Sequence, residues 1–448
     1  MQEKSVHFVS LGCSKNLVDS QVMLGSLNKH GYEVNQDPYE SEVLIVNTCA
    51  FVEEAKKESI KTILDFGGGK KDGQILVVSG CLSQRYSSDL EAEMPEIDLI
   101  VGTGEYNKIH QFLEAKKENK LGQKSFVEIP KYIHTEMDPR LNTSPQYMAW
   151  LKVSEGCDRK CTFCIIPKLR GSLRSRSVES LVTEANNLVA QGVKELNVIS
   201  QDLSSYGVDL DRDENNLLSL LKALDGVEGI KWVRLFYYYP DELTDEIIDF
   251  LASSKKICSY LDMPVQHFAD GTLKRMNRRI TGAKIHERIE RLREMIPDVV
   301  IRTSVIVGFP GETEEDFQTL LEGVKKAKFD HLGVFKYSDE EGTPAFKLEP
   351  KNPQEVIDQR FEAIYKAQEE VASERNLNLI GEELEVLVEG LHDESDLLFK
   401  GRFYGQAPDI DGCVIINDTN DKVLKAGDMV KVRITDRFSY DLVGELVD

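Results

Sequence analysis

The stretch Ser154-Glu155-Gly156-Cys157-Asp158-Arg159-Lys160-Cys161-Thr162-Phe163-Cys164 places three cysteines in a C-x3-C-x2-C run. No fourth cysteine is near; the next is Cys258. A four-iron cluster closed by protein takes four thiolates, so three leave one iron open to another ligand. A structural zinc site is the alternative reading, and it also needs a fourth ligand. The nearest upstream histidine, His134, is 23 residues away.

Working outward, the run follows a strand-like segment at 149–155, the first of six. The others are 195–200, 231–238, 259–265, 299–307 and 331–337, with amphipathic helical text between them at 177–191, 214–225, 241–254, 281–296 and 313–328. Six βα units predict an incomplete parallel barrel, with chemistry at the carboxyl ends of its strands, where the cysteine loop falls. Gln266 and His267 end the fourth strand and Tyr237 to Tyr239 the third, all expected at the barrel mouth. His267 reads equally well as a structural histidine. A charged helix follows at about 353–376.

Three further cysteines share one design. Strand-like runs at 5–11, 42–48 and 75–80 lead into Cys13, Cys49 and Cys81. Short Val- and Ile-rich runs read as buried parallel strands. Ligands of open α/β sheets gather at the carboxyl ends of the strands, so these cysteines can converge although 36 and 32 residues separate them. They are a second three-thiolate cluster site or three buried thiols. Cys258 and Cys413 read as ordinary buried cysteines. The first helix should stop near Gly31, and a second, at 50–65, should be closed by Gly67-Gly68-Gly69.

The fold class expected is α/β in three parts. Residues 1–115 form a small open parallel sheet, 116–146 a connector with Pro130, Pro139 and Pro145, and 147–375 the partial (βα)6 barrel. Residues 376–448 hold short alternating strands separated by Gly, Asp and Asn turns, which predict a small antiparallel β-barrel.

The formal net charge of −22 over 448 residues argues against a broad nucleic-acid footprint. The last segment, from Asn376, sets 7 Lys and Arg against 16 Asp and Glu, a net −9, which suits a basic protein partner. No apolar stretch approaches the ~20 residues of a membrane span. The N-terminus shows no signal peptide, and eight cysteines suggest metal ligation in a reducing cytoplasm.

The C-x3-C-x2-C run resembles the radical S-adenosylmethionine superfamily, and the last segment resembles the TRAM domain, an OB-like module. With Cys13, Cys49 and Cys81, the whole chain resembles the methylthiotransferases. Ser10-Leu-Gly-Cys-Ser-Lys-Asn-Leu-Val-Asp-Ser20 and the segment from Ser154 to Gly171 are most similar to the branch that modifies ribosomal protein uS12. The sister branch, acting on isopentenyl-adenosine in tRNA, usually has Gln-Arg-Gly-Cys where this chain has Ser154-Glu155-Gly156-Cys157.

The resemblance implies two [4Fe-4S] clusters. One, on Cys157, Cys161 and Cys164, would bind and reductively cleave S-adenosylmethionine. The other, on Cys13, Cys49 and Cys81, would hold the sulfur to be methylated and joined to the β-carbon of an aspartate in uS12. It places Phe163, Gln201, Arg302 and Gly308 against S-adenosylmethionine. The implied partners are uS12 or the small ribosomal subunit and an electron donor such as flavodoxin. A basic patch of Arg159, Lys160, Lys168, Arg170, Arg174 and Arg176 could grip that donor or a substrate carboxylate. No membrane is implied, and tRNA is not expected. Competing readings are tRNA methylthiolation and a non-catalytic iron–sulfur carrier.

Overall fold

A computed structural model describes residues 4–211 and 213–447. The N-terminal sheet comprises β1 (Ser5–Ser10), β2 (Glu33–Val34), β3 (Val43–Thr48), β4 (Ile75–Gly80), β5 (Leu99–Val101) and β6 (Ser125–Phe126), in the order β2-β1-β3-β4-β5-β6. Every pairing is parallel. The β3 run Val-Leu-Ile-Val is wholly buried because helices cover both faces of the sheet, giving it two apolar clusters. Strand order reverses between β1 and β3, the position at which open α/β sheets bind ligands. Cys13 follows β1 and Cys49 follows β3.

The connector carries one short strand, β6, at the sheet edge. One expectation here is corrected. The second helix runs Glu53–Gly69, so the three glycines form its last turn rather than lying beyond its end. A Cβ on Gly67 would lie 2.3 Å from Glu96 and one on Gly69 2.8 Å from Tyr39, so these two glycines let that turn pack closely.

The central sheet is formed by β7 (Met148–Lys152), β10 (Glu195–Ile199), β11 (Trp232–Leu235), β12 (Ile257–Asp262), β13 (Val300–Val307) and β14 (His331–Lys336), ordered β14-β13-β12-β11-β10-β7. All pairs are parallel and the sheet stays open between β7 and β14. This is the six-unit partial barrel. A two-residue ladder, β8 (Ser154–Glu155) with β9 (Arg174–Ser175), pins the two ends of the cysteine loop together. The long helix Gln354–Asn378 packs along β14.

The C-terminal unit is a closed barrel of β15 (Glu383–His392), β16 (Ser395–Phe403), β17 (Val414–Asp418), β18 (Met429–Arg437) and β19 (Leu442–Leu446), antiparallel apart from the β17–β19 pair. It docks at the amino ends of the central strands, on Glu195 of β10 and His331 of β14, opposite their carboxyl rim. Val18 of the first helix, Trp150 and Phe236 of the central unit, and Leu387 and Ala407 of the C-terminal barrel share one apolar cluster, so three parts of the chain meet inside the partial barrel. No described helix is long and apolar enough to cross a membrane.

The docking is ionic at its centre. Glu195, fully buried at the start of β10, accepts from Arg402 Nη2 (2.7 Å) and from Arg234 Nε (3.2 Å). Arg234 also donates to the Tyr404 carbonyl. Tyr260 donates to Asp411 Oδ2 (2.8 Å). Burial would raise the Glu195 pKa, but the two guanidiniums outweigh it and hold the carboxyl below its ordinary range. A depressed carboxyl contributes stability that is complete above the unfolded pKa of about 4.3 and is lost as pH falls through the native value. Arg402→Ala should cost about 3–5 kcal/mol at neutral pH, because it strips a buried carboxylate of its main partner. Urea titrations over a pH series check this: the gap between the wild type and the variant should close as the pH becomes acid.

Candidate active site

Backbone geometry at the ends of three neighbouring strands brings the first cysteine set together. Gly12 and Gly80, just before Cys13 and Cys81, have φ of +86° and +95°. A Cβ on Gly12 would lie 2.7 Å from Cys49 Cβ, and one on Gly80 2.4 Å from Asn47 Oδ1, so only glycine fits at these turns. Asn16 Nδ2 donates to Leu11 O (2.7 Å), Asn47 O (3.3 Å) and Thr48 O (3.3 Å), and Asn47 Nδ2 donates back to Asn16 O (2.9 Å). The Ser59 hydroxyl accepts from Cys49 N (3.1 Å) and donates to Cys49 O (3.0 Å). Cys13 caps the helix Ser14–Lys29 and Cys81 begins the helix Cys81–Glu93.

The second set lies in the loop between β8 and the helix Ile166–Arg170. Arg159 N donates to Cys157 Sγ (3.4 Å), and Arg278 Nη1 stands 3.9 Å from Cys161 Sγ. Arg278 stacks on the Tyr239 ring at 3.8 Å and donates to Pro264 O (2.6 Å), which fixes its charge over the loop. A bland surface reading of Arg278 misses this, because nothing local in the sequence ties it to a loop more than a hundred residues earlier.

All eight cysteines are unpaired; Cys258 is buried and Cys413 only half-buried. Burial pushes Cys81 up to about 12 against the pull of Arg170, and does the same to Cys157 and Cys164, with Cys49 also raised. Within each set the thiols feel one another's charge. Buried thiols of this kind become thiolates when a metal centre takes the proton's place. Among the described residues no three His, Cys, Asp or Glu side chains close on a point suited to a single ion. Each set could supply three thiolates to an iron–sulfur cluster, leaving one iron open.

A buried charge network lies between the sets. Lys152 pairs with Asp19 and with Glu155 Oε2 (2.7 Å). Arg170 pairs with Asp19 and Glu155 (3.4 Å), donates to Asn16 Oδ1 (3.0 Å) and reaches Cys81 Sγ at 3.5 Å. Gln201 donates to Glu155, and its Oε1 is buried without a partner. Burial opposes ionisation of Glu155, yet Lys152 and Arg170 hold its pKa down to about 2.

The expected site residues separate into groups. Gln201 sits in this network beside the cysteine loop. Phe163 packs edge-on to Phe309 at 6.5 Å. Arg302 pairs with Asp262 (2.9 Å) and with Asp411 of the C-terminal barrel (3.4 Å), towards the docked face. Gly308, at φ +75°, gives way to Ile357, which would lie 2.4 Å from an added Cβ. His267 is fully buried, its Nδ1 accepting from Ala269 N (2.9 Å) and its Nε2 without a hydrogen-bond partner among the described residues. The basic patch is corrected: Arg170 and Arg176 are buried and paired, the latter with Glu184, so only Lys160 and Lys168 are exposed.

Profiles of known families match three segments: the uncharacterized protein family UPF0004 over 5–102, the Radical SAM superfamily over 151–324, and the TRAM domain over 380–447. The chain is 49% identical, over its full length and 98% of the relative's, to ribosomal protein uS12 methylthiotransferase RimO of Bdellovibrio bacteriovorus. It is 49% identical over 99% of both chains to the protein of that name from Geobacter sulfurreducens. The chain belongs to the ribosomal protein uS12 methylthiotransferase family.

It is therefore a radical S-adenosylmethionine transferase, with [4Fe-4S] clusters and S-adenosylmethionine as cofactors. Among solved structures, the radical S-adenosylmethionine methyltransferase TsrM from Kitasatospora setae shares the fold (TM-score 0.55, 15% identity, 74% of this chain and 73% of that one). So does the radical enzyme OxsB (TM-score 0.52, 13% identity, 81% and 56%).

If the two sets hold separate clusters, changing Cys157, Cys161 and Cys164 together to Ala should remove about half of the iron from anaerobically reconstituted protein and abolish 5′-deoxyadenosine formation. Changing Cys13, Cys49 and Cys81 to Ala should remove the other half and retain that cleavage. Iron analysis and chromatography of the nucleoside read both outcomes.

Proposed function

We propose that this protein adds a methylthio group to the β-carbon of an aspartate in ribosomal protein uS12. The reading rests on one observation: two three-cysteine sets, on different domains, meet across a single buried network in a chain of this family. Cys157, Cys161 and Cys164 would hold the cluster that binds S-adenosylmethionine, and Cys13, Cys49 and Cys81 the cluster that carries sulfur. Bound there, these groups supply the radical that removes hydrogen from an unactivated carbon and the sulfur that replaces it, chemistry that side-chain acids and bases do not provide.

The chain's own residues position and enclose. Lys152, Glu155 and Arg170 keep two domains in register, with their charges balanced by Asp19, so no free carboxylate or ammonium is left between the cysteine sets from that network. Gln201 offers an unpartnered carbonyl oxygen, suited to an ammonium group such as that of a bound methionine moiety. Arg278 places positive charge beside the second set, and the Arg159 backbone N–H donates to Cys157 Sγ, both stabilising thiolate and electron-rich sulfur.

The acidic exterior, −22 overall and −9 in the C-terminal segment, would steer a Lys- and Arg-rich ribosomal protein towards the enzyme. A cytoplasmic setting and a flavodoxin-like electron donor belong to the same proposal. The eight unpaired cysteines support the first, and the need of the chemistry for an external electron supports the second.

Reconstituted protein, reductant and S-adenosylmethionine should convert one aspartate of purified uS12 to its methylthio form, read by mass spectrometry of the tryptic peptide. The rate should fall as salt rises, because exposed charges are screened beyond about 8 Å at physiological ionic strength. Modification of tRNA adenosine with uS12 untouched would move the protein to the sister branch.

A further inference from the structure

Lys15 lies in the first turn of the helix Ser14–Lys29, two residues after Cys13, and is only 8% exposed. The other buried cations around it are paired. Lys152 and Arg170 answer Asp19 and Glu155, and Arg302 answers Asp262 and Asp411. Lys15 makes no ion pair among the described residues. Its ammonium instead stands 3.3 Å from the centroid of the Tyr237 ring. Despite its burial, Tyr237 and the more distant Asp262 carboxylate favour the charged form.

Tyr237, just past β11 at the carboxyl rim, has a φ of +61°, a region a bulky aromatic residue rarely adopts. The chain thus keeps in one place a buried ammonium with no close ion pair among the described residues and a tyrosine in a rarely adopted backbone region. Lys15 joins the two halves of the site: it faces Cys13 on one side and the rim of the central barrel on the other.

We propose that Lys15 binds the side-chain carboxylate of the substrate aspartate. This rests on the uS12 reading above and adds to it the residue that selects an acidic side chain. The carbon that receives sulfur is bonded directly to that carboxylate. A cation two residues from Cys13 therefore holds the reacting carbon next to the cysteine set assigned to sulfur. Charge complementarity also gives specificity, since an amide in place of the carboxylate would leave the ammonium buried and unpaired.

The test uses full-length, anaerobically reconstituted protein and two fluorescent peptides of the uS12 loop, carrying Asp or Asn at the modified position. Binding is read by anisotropy, alongside iron content and the electron paramagnetic resonance of the reduced clusters. The wild type should prefer the Asp peptide on the order of thirtyfold. Lys15→Met should bind both peptides equally and weakly, Lys15→Arg should keep part of the preference, and iron content and cluster spectra should be unchanged in both. If Lys15→Met loses iron, Lys15→Gln with iron intact decides by the same comparison. A neutral variant that keeps the preference overturns the assignment; altered cluster spectra would then mark Lys15 as a charge partner of the Cys13 side. A wild type that binds both peptides equally overturns the assignment but leaves uS12 as the partner. A wild type that binds neither overturns the substrate reading and Lys15 with it.

Discussion

Two cations and two carboxylates, all but removed from water, hold this molecule's site together. Asp19 comes from the N-terminal helix; Lys152, Glu155 and Arg170 come from the central barrel. Four charges at this depth would be prohibitive singly, and removing any one leaves an uncompensated buried ion. Their mutual neutrality makes the arrangement tolerable, and their origin on two domains makes it a constraint on how those domains meet. Cys13 precedes Asp19 by less than two helical turns, and Cys157 follows Glu155 by two residues, so fixing the pair Asp19–Glu155 through their shared cations fixes both cysteine sets.

The same logic recurs at the opposite end of the central barrel. There Glu195 meets Arg234 and Arg402, and Asp411 meets Arg302 and Tyr260, so the C-terminal barrel is keyed to the amino ends of the strands. Chemistry is left to the carboxyl rim, and the acidic outer surface of the docked barrel remains available to a basic partner. A third key joins the flank: Glu340, from the loop after β14, takes both Lys56 (3.1 Å) and Arg85 (2.7 Å) of the N-terminal domain. Electrostatic keys of this sort fix one docking geometry, where apolar contact alone would allow several.

Much of this was legible in the sequence because it was local. Each of these cysteines follows its own apolar run, so Cys13, Cys49 and Cys81 could be placed at one edge of a parallel sheet without knowing its order. The six βα units and the closing barrel were equally readable from periodicity. What stayed hidden depends on long-range pairing. Arg170 looked like one member of a surface patch, yet it is the buried contact between Asp19 and Cys81. Arg302 looked like a cofactor contact on its strand, and its partners turned out to include a carboxylate more than a hundred residues later. Gly67 and Gly69 looked like residues beyond the helix end because their function, close packing against Glu96 and Tyr39, lies in neighbours distant in sequence. Asn16 and Asn47, which knit the loops under the first cysteine set, gave no signal beyond their polarity.

Both cysteine sets are proposed to carry iron, with the buried charge network of Asp19, Lys152, Glu155 and Arg170 between them. Anomalous diffraction at the iron edge from crystals of the reconstituted protein tests this most directly. Two polynuclear iron peaks should appear, one bounded by Cys13, Cys49 and Cys81 and the other by Cys157, Cys161 and Cys164, with Arg170 and Glu155 between them. Iron at only one set, or a mononuclear peak at either, would contradict the account.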